Sequence, residues 1–405
     1  MKVLLINNQH AKKGGAHNVY FNTAELLKKY GHDVFFFSTQ DTEMIDDENK
    51  KYFPKGVDYR KLNIFNKIKA TKTFIYNDEA YDKITAYIKL IKPDIAHVHL
   101  FMGGLTVSVL KALKENNIPI VHTVHDYRLI CPAYTFLDKN NNVCTKCRDG
   151  FFIRCAYKKC SAETNFYHSS ILSLDAYSRK YLSNPLQYID SYIFVSYFAQ
   201  DLHIHFDERF KKSEVIYNFN TVKKVENSNK GDYILYFGRL SREKGIKLLV
   251  EVAKALNLKL KIVGNGPLYK ALKESTVQSP NIEILGFKIG NELLDIIQNC
   301  SFVCVPSEWY ENNPLSIIES FSLGKPVIGS DIGGIPELLE DNRGLLFKTK
   351  DYISLKNCLI KATEMNYNEY LQLSQNVLKY AQSGLSEETH INKLIDVYES
   401  VITSY

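Results

Sequence analysis

Arg239 and Lys244 stand five residues apart in Phe237-Gly238-Arg239-Leu240-Ser241-Arg242-Glu243-Lys244-Gly245, directly after an apolar run that reads as a strand. Two cations at a strand's end suit a diphosphate, with the guanidinium gripping phosphate oxygens as a fork and the ammonium acting as a point charge. A solvated basic turn has the same composition. Glu311 and Glu319 lie eight positions apart in Pro306-Ser307-Glu308-Trp309-Tyr310-Glu311-Asn312-Asn313-Pro314-Leu315-Ser316-Ile317-Ile318-Glu319. That spacing is about two helical turns, so both carboxylates can face one pocket at a helix start. Free backbone N–H groups and a positive dipole end there favour an anion. Glu311 beside those amides can accept sugar hydroxyls, and Glu319 can hold a ribose hydroxyl pair. A capping glutamate plus one exposed glutamate is the plainer alternative. In Ile262-Val263-Gly264-Asn265-Gly266-Pro267, Gly264 and Gly266 permit close backbone approach to a ligand. Asp331-Ile332-Gly333-Gly334-Ile335-Pro336-Glu337 reads as a further glycine turn opening a helix.

His122 and His125 close an apolar strand, and His97 and His99 lie one strand earlier on a shared face. For His97 and His99 a satisfied core role is the expectation. Five of the eight cysteines fall between Cys131 and Cys160. Cys144, Cys147, Cys155 and Cys160 form two pairs that a tetrahedral structural zinc accepts, although the gap between the pairs is short. Buried apolar thiols, a disulfide and an iron–sulfur cluster compete with zinc. Cys131, in Cys131-Pro132, is the odd one. Lys146, Arg148, Arg154, Lys158 and Lys159 against Asp149 can offset thiolate charge or face an anionic acceptor.

The elements that carry these residues alternate. Strands are expected at Val3–Ile6, Val34–Phe37, 94–99, Ile118–Val124, Ser191–Val195 and Val215–Tyr217, with helices such as Val19–Tyr30 and Leu105–Asn116 between them. Asn218–Lys230 is polar and reads as a linker. Beyond it come Tyr233–Phe237, Leu258–Val263, Ile282–Leu285, Phe302–Val305, Pro326–Gly329 and Leu345–Phe347. Short β-branched runs between helices predict an α/β protein of two doubly wound, Rossmann-like domains. The length of 405 residues fits two domains of roughly 200. The expected boundaries are 1–220, with a Cys-rich insertion at 131–160, and 231–386. The amphipathic helix within 387–405 is expected to return to the first domain, with Ile391, Leu394, Ile395, Tyr398 and Ile402 on one face.

Hydrophobic residues at 45% and charged ones at 24% exclude a mainly disordered chain. A net charge of +6 without a basic element gives no case for nucleic acid. The first apolar run is four residues, too short for a signal peptide, and no run approaches a membrane span. The expectation is a cytoplasmic protein with reduced thiols. Arg60–Tyr76 mixes five cations with Leu62, Ile64, Phe65, Ile68, Phe74 and Ile75, a composition that suits peripheral contact with anionic lipid at the inner face of the membrane. A solvated helix packed by one face fits equally well.

Together, 237–245, 262–267 and 306–337 resemble the donor-binding half of the retaining glycosyltransferases of family 4. The segment with Glu311 and Glu319 is similar to their E-x7-E motif. Gly14-Gly15-Ala16, Gly31-His32-Asp33-Val34, 93–99 and His122-Thr123-Val124-His125-Asp126 resemble the other half. The resemblance spans nearly the whole chain and implies a GT-B fold, two domains facing an interdomain cleft. It also implies donor and acceptor halves. Arg239 and Lys244 would bind the donor diphosphate and stabilise the leaving nucleoside diphosphate. Glu319 would hold the ribose, Leu285 and Gly286 would meet the base, and Gly238, Gly264 and Gly266 would line the site. Glu311, with amides from Asn312, Asn313 and Leu315 (Pro314 has none), would bind the donor sugar. Gly15 would let the first loop reach the diphosphate, and His125 would point at the donor sugar. No metal is implied for catalysis. The implied reaction moves a hexose from a nucleotide-diphosphate sugar to a hydroxyl of a glycan or lipid-linked glycan, as in surface polysaccharide synthesis. The leaving phosphate would take the acceptor proton on the same face, unlike the paired carboxylates of glycosidases. A GT-B nucleotide-sugar 2-epimerase and a non-catalytic zinc-dependent binding or scaffold subunit are the alternatives.

Overall fold

The computed structural model describes residues 1–12, 14–56, 64–161, 165–222 and 229–405, the side chains of 64–69 excepted. They form two units, Met1–Ile216 with Ile391–Tyr405, and Tyr217–His390. The linker read at 218–230 lies partly outside the described residues, as does the basic stretch 60–76. Of that stretch the structure describes the backbone of a helix, Ile64–Ile75, and the side chains from Ala70 on.

In the first unit six parallel strands run β1 (Lys2–Gln9), β2 (Asp33–Thr39), β3 (Ile95–Val98), β4 (Ile120–Val124), β5 (Ser191–Phe194) and β6 (Ser213–Val215). Their spatial order is β2-β1-β3-β4-β5-β6. Helices cover both faces, so Val3–Ile6 is apolar without alternation and fully buried. The chain crosses from β1 to β2 on one side and returns to β3 on the other. The crevice outside the carboxyl ends of β1 and β3 is thus the switch point where such sheets bind ligands.

The second unit repeats this logic with β7 (Ile234–Phe237), β8 (Leu260–Val263), β9 (Ile282–Gly286), β10 (Phe302–Val305), β11 (Val327–Ser330) and β12 (Gly344–Phe347), in the order β12-β11-β10-β7-β8-β9. Its switch point lies between β7 and β10. Alternate residues of β7 enter opposite cores. Ile234 and Tyr236 pack with Leu249, Leu260 and Leu355, while Leu235 and Phe237 pack with Ile317, Phe321 and Val377.

Several element boundaries differ from expectation. The strand expected at Val215–Tyr217 ends at Val215. Tyr217 is held by the second unit instead, where its hydroxyl donates to Glu337 Oε2 at 2.7 Å and its carbonyl accepts from His390 Nδ1 at 2.9 Å. The first helix starts at Gly15, ahead of the apolar periodicity that begins at Val19. The last helix spans Glu387–Thr403. Ile391, Leu394, Tyr398 and Val401 are its buried seam, whereas Ile395 and Ile402 are only half-buried. Among the described residues, no helix is long and apolar enough to cross a membrane.

Candidate functional site

At the second unit's switch point, β7 delivers Gly238 and Arg239 and β10 delivers Ser307 to Glu311. Arg239 is exposed and carries no ion pair with another described residue. Its carbonyl accepts from the buried Tyr236 hydroxyl at 2.7 Å, which fixes the loop below it. The helix expected to start near Arg242 opens instead with a single tight turn, Arg242–Lys244, before Ile246–Ala255. Gly245 between them is left-handed, φ 67°, and a Cβ there would lie 1.7 Å from the Pro306 carbonyl oxygen. That close approach sets Lys244 against the β10 loop. Lys244 Nζ donates to Glu311 Oε1 at 2.6 Å, and Ser307 Oγ donates to the same oxygen at 2.6 Å. The ammonium also stands 5.2 Å over the Trp309 ring.

Glu311 is buried. Burial pushes its carboxyl up, but the Lys244 charge and the hydrogen bonds from Lys244 and Ser307 outweigh it and hold the group below its ordinary value. Its backbone is clamped as well. Gly334 N donates to the Glu311 carbonyl at 2.7 Å, and a Cβ on Gly334 would lie 1.8 Å from Asn312 O. The Gly333-Gly334 turn therefore anchors the Glu311 loop, a role its place at a helix start did not suggest. Glu319 sits in the helix Leu315–Ser322, half-buried, its carboxylate bonded to no other described residue, and burial raises its carboxyl to about 7. The Asn313 side chain is committed inward, where its Oδ1 accepts from Asn218 N at 3.0 Å. Behind Gly238, the Gly264–Gly266 loop packs backbone to backbone. Gly238 N donates to Val263 O at 3.0 Å and Leu240 N to Asn265 O at 2.9 Å. Leu285 is half-buried at the end of β9.

The first unit's switch point is lined differently. His125 follows β4, and its Nε2 hydrogen-bonds His99 Nδ1 at 2.8 Å with the rings stacked 5.0 Å apart. His99 stacks in turn on His97 at 4.4 Å, whose nitrogens meet Tyr398 Oη at 2.6 Å and Thr123 Oγ1 at 2.7 Å. His97 is thus the satisfied core histidine expected. His99, expected to share that role, instead orients His125. Sequence spacing placed both on one face but did not show which neighbouring loop either ring would meet. Burial, then the neighbouring His122 and His17, lowers His125 to about 3, so its imidazole is neutral near pH 7. His125 opens on a cavity of about 110 Å³ shared with Asn8, Asp126 and Arg128. Gly15 opens the helix after β1, preceded by Gly14 at a positive φ of 154°.

All eight cysteines are thiols. Cys155 and Cys160 lie against each other, and their interaction raises the first thiol and lowers the second. The turn that brings them together is closed by Cys160 N donating to Cys155 O at 3.2 Å. Burial and the neighbouring Cys144 and Cys160 push Cys147 up to about 12. Among the described residues no group of three or more His, Cys, Asp or Glu is placed to hold a metal ion. Of Cys144, Cys147, Cys155 and Cys160, the four read as a zinc set, Cys147 neighbours both Cys144 and Cys160. The pairing of Cys155 with Cys160 draws two of the four onto each other.

Two doubly wound six-stranded sheets with these switch-point loops define a glycosyltransferase of the GT-B fold class. Residues 13–220 match Glycosyltransferase Family 4 and residues 218–381 match Glycosyl transferases group 1, so the chain belongs to this family of transferases. It is 28% identical over 357 residues to an uncharacterized 42.6 kDa protein in the cps region of Klebsiella pneumoniae, covering 84% of this chain and 87% of that one. It is 33% identical over 133 residues to the putative teichuronic acid biosynthesis glycosyltransferase TuaC of Bacillus subtilis, covering 31% and 32%. In fold it is similar to Anabaena Alr3699/HepE in complex with UDP, with a TM-score of 0.63 at 17% identity over 99% of this chain and all of that one.

Proposed function

We propose that the chain is a retaining hexosyltransferase that takes a sugar from a nucleoside-diphosphate donor to a hydroxyl of a glycan or lipid-linked glycan in surface polysaccharide synthesis. The observation that carries this reading is the Lys244–Glu311 pair, 2.6 Å long, at a switch point that also presents exposed Arg239. Lys244 and Arg239 offer positive charge to a departing diphosphate, the electrostatic help that phosphoryl leaving groups need. Glu311, held ionised, offers acceptor oxygen to sugar hydroxyls. Glu319 offers its oxygens to a ribose, and the first-turn amides of Leu315–Ser322 face the same anion. The neutral His125–His99 pair offers a sugar hydroxyl a hydrogen bond without adding charge. No carboxylate nucleophile enters the reaction; the leaving phosphate takes the acceptor proton as the new bond forms on the same face. The cps-region relative and the teichuronic acid relative support the polysaccharide setting, and the UDP complex of the structural neighbour supports a uridine donor.

A panel of nucleotide sugars, assayed for thermal stabilisation and for hydrolysis without acceptor, tests the donor half of the reading. Stabilisation by one nucleotide and its sugar is expected. Conversion of that donor to a new sugar nucleotide, with no acceptor present, would instead identify a 2-epimerase. The anomeric configuration of the product, read by NMR, tests retention.

A further inference from the structure

The first unit holds a second cavity, of about 190 Å³, beside the one that His125 faces; Arg128 and Leu129 line both. Its other walls come from the start of the Cys-rich segment, the helix Phe166–Tyr181 and the turn Glu208–Lys211. Five cations line it, Arg128, Arg148, Arg179, Lys180 and Arg209, against one acid, Asp207. Asp207 is consumed by Arg209, whose Nε and Nη2 reach its carboxylate at 2.6 to 3.1 Å. Among the described residues, Arg128, Arg148 and Lys180 have no carboxylate within ion-pair distance.

Arg179 shows that the cavity is built rather than incidental. It is 94% buried, with Nε on Asp175 Oδ2 at 2.9 Å and Nη1 on the Arg128 carbonyl at 2.8 Å. Its Nη2 is buried and has no hydrogen-bond partner. The Nε of Arg128 is orphaned in the same way, while its Nη1 is fixed on Met102 O at 3.0 Å. A buried guanidinium N–H left unpaired is costly, and an oxyanion is the partner its geometry fits. Lys180 is steered toward this face by Gly150, where a Cβ would lie 1.9 Å from its Nζ.

We propose that this cavity binds a phosphate or diphosphate group on the acceptor, beside the cavity on which His125 opens. Several uncompensated cations call for a multiply charged group, and guanidinium forks match phosphate oxygens. The assignment to the acceptor rests on the transferase reading above; the anion site itself does not.

The test is calorimetric titration of the full chain with inorganic pyrophosphate in low salt, with saturating UDP present to occupy a donor diphosphate site. Binding is expected. It should weaken by about tenfold or more in Arg148→Gln/Lys180→Gln, which removes two exposed cations and spares the core. Arg179→Lys, with less rigid donors, should weaken it too. In transfer assays with paired sugar acceptors that differ only by a 1-phosphate, the phosphorylated one should have the lower KM. Pyrophosphate should compete with it, and the double variant should erase the preference at unchanged donor hydrolysis. Absence of pyrophosphate binding, or binding untouched by the double variant, overturns the site. Binding without competition against the phosphorylated acceptor overturns the acceptor assignment in favour of free phosphate. Absence of UDP binding and donor hydrolysis in the wild type would instead sink the transferase reading and leave the pyrophosphate result to stand by itself.

Discussion

The two units solve the same geometric problem with opposite electrostatics. Each is a doubly wound sheet with its candidate residues at the carboxyl ends of neighbouring strands, β7 and β10 flanking the switch point in the second unit and β3 and β4 beside it in the first. In the second unit that place is charged. Lys244 and Glu311 pair across it, and glycine turns let backbones close in around them. In the first unit the place is occupied by neutral rings, with His97, His99 and His125 stacked in succession and burial holding His125 down at about 3. A leaving diphosphate needs fixed positive charge, whereas a sugar hydroxyl needs only directional hydrogen bonds. On the proposed function, the difference between the units is the difference between those two tasks.

The contrast breaks most visibly at Lys244. Lys244→Ala removes the ammonium and leaves Glu311 buried and unpaired. Transfer should fall by about a thousandfold or more, and the second unit should lose about 3 kcal/mol of stability. Glu311→Gln keeps hydrogen bonds to Lys244 and Ser307, so it should lose transfer by about a hundredfold with a smaller fall in stability. Turnover and thermal unfolding, measured on both, separate the chemical loss from the structural one. Transfer that survives both changes would remove the charged centre from the mechanism.

In the first unit the corresponding change is His125→Ala, for which a loss of about a hundredfold in kcat is expected from a missing hydrogen bond and lost positioning. His99 acts through His125, so His99→Gln, which retains a side-chain hydrogen-bonding group, should cost less. Because the imidazole is neutral in the fold, the wild-type rate should show no inflection from His125 near its ordinary value of 6.5. An inflection there that His125→Gln abolishes would contradict the neutral-ring reading.

The units should also respond to pH with opposite signs. His122, His125 and His203 are held at about 4, 3 and 3 in the folded chain. The unfolded chain takes up their protons near 6.5, so their contribution to stability is present above 6.5 and is lost as pH falls. Glu319 is raised to about 7 from an ordinary 4.5. The folded unit therefore binds its proton more tightly than the unfolded chain, and that contribution is present below 4.5 and lost as pH rises through 7. Trp309 is the chain's one tryptophan and lies in the second unit, so its fluorescence follows that unit's unfolding. Between pH 5 and 7.5, Glu319→Gln should remove a downward slope from the Trp309 transition; an unchanged slope would place Glu319 in water.

Much of this contrast was legible before any coordinates. The strands could be read because parallel strands buried on both faces are short continuous apolar runs, and Val3–Ile6 and Phe302–Val305 are such runs. Arg239, Lys244, Glu311 and Glu319 stood out because their spacing sits at strand and helix ends. What was not legible was who meets whom across the sheet. The Gly334 clamp on Glu311, the inward turn of Asn313 and the His99–His125 bond all join residues from different strands' loops, and no periodicity reports that. The cysteines' spacing is that of a metal site, and a local turn brings Cys155 and Cys160 together.

The smallest effect tests how far the neutral side depends on its support. The segment Ile391–Tyr405 belongs to the first unit, and from it Tyr398 hydrogen-bonds His97 beneath the ring stack. Tyr398→Phe keeps the packing of a fully buried ring and deletes one hydrogen bond, leaving a His97 nitrogen unsatisfied. The expected cost is about 1 to 2 kcal/mol of stability in the first unit. If the stack transmits position, kcat should fall a few-fold with the donor KM unchanged, because His97 touches His99 and His99 in turn touches His125. Tyr398→Phe combined with His99→Gln should then be less than additive, as residues acting through one ring must be. Additive losses would mean that the C-terminal helix stabilises the sheet without orienting His125.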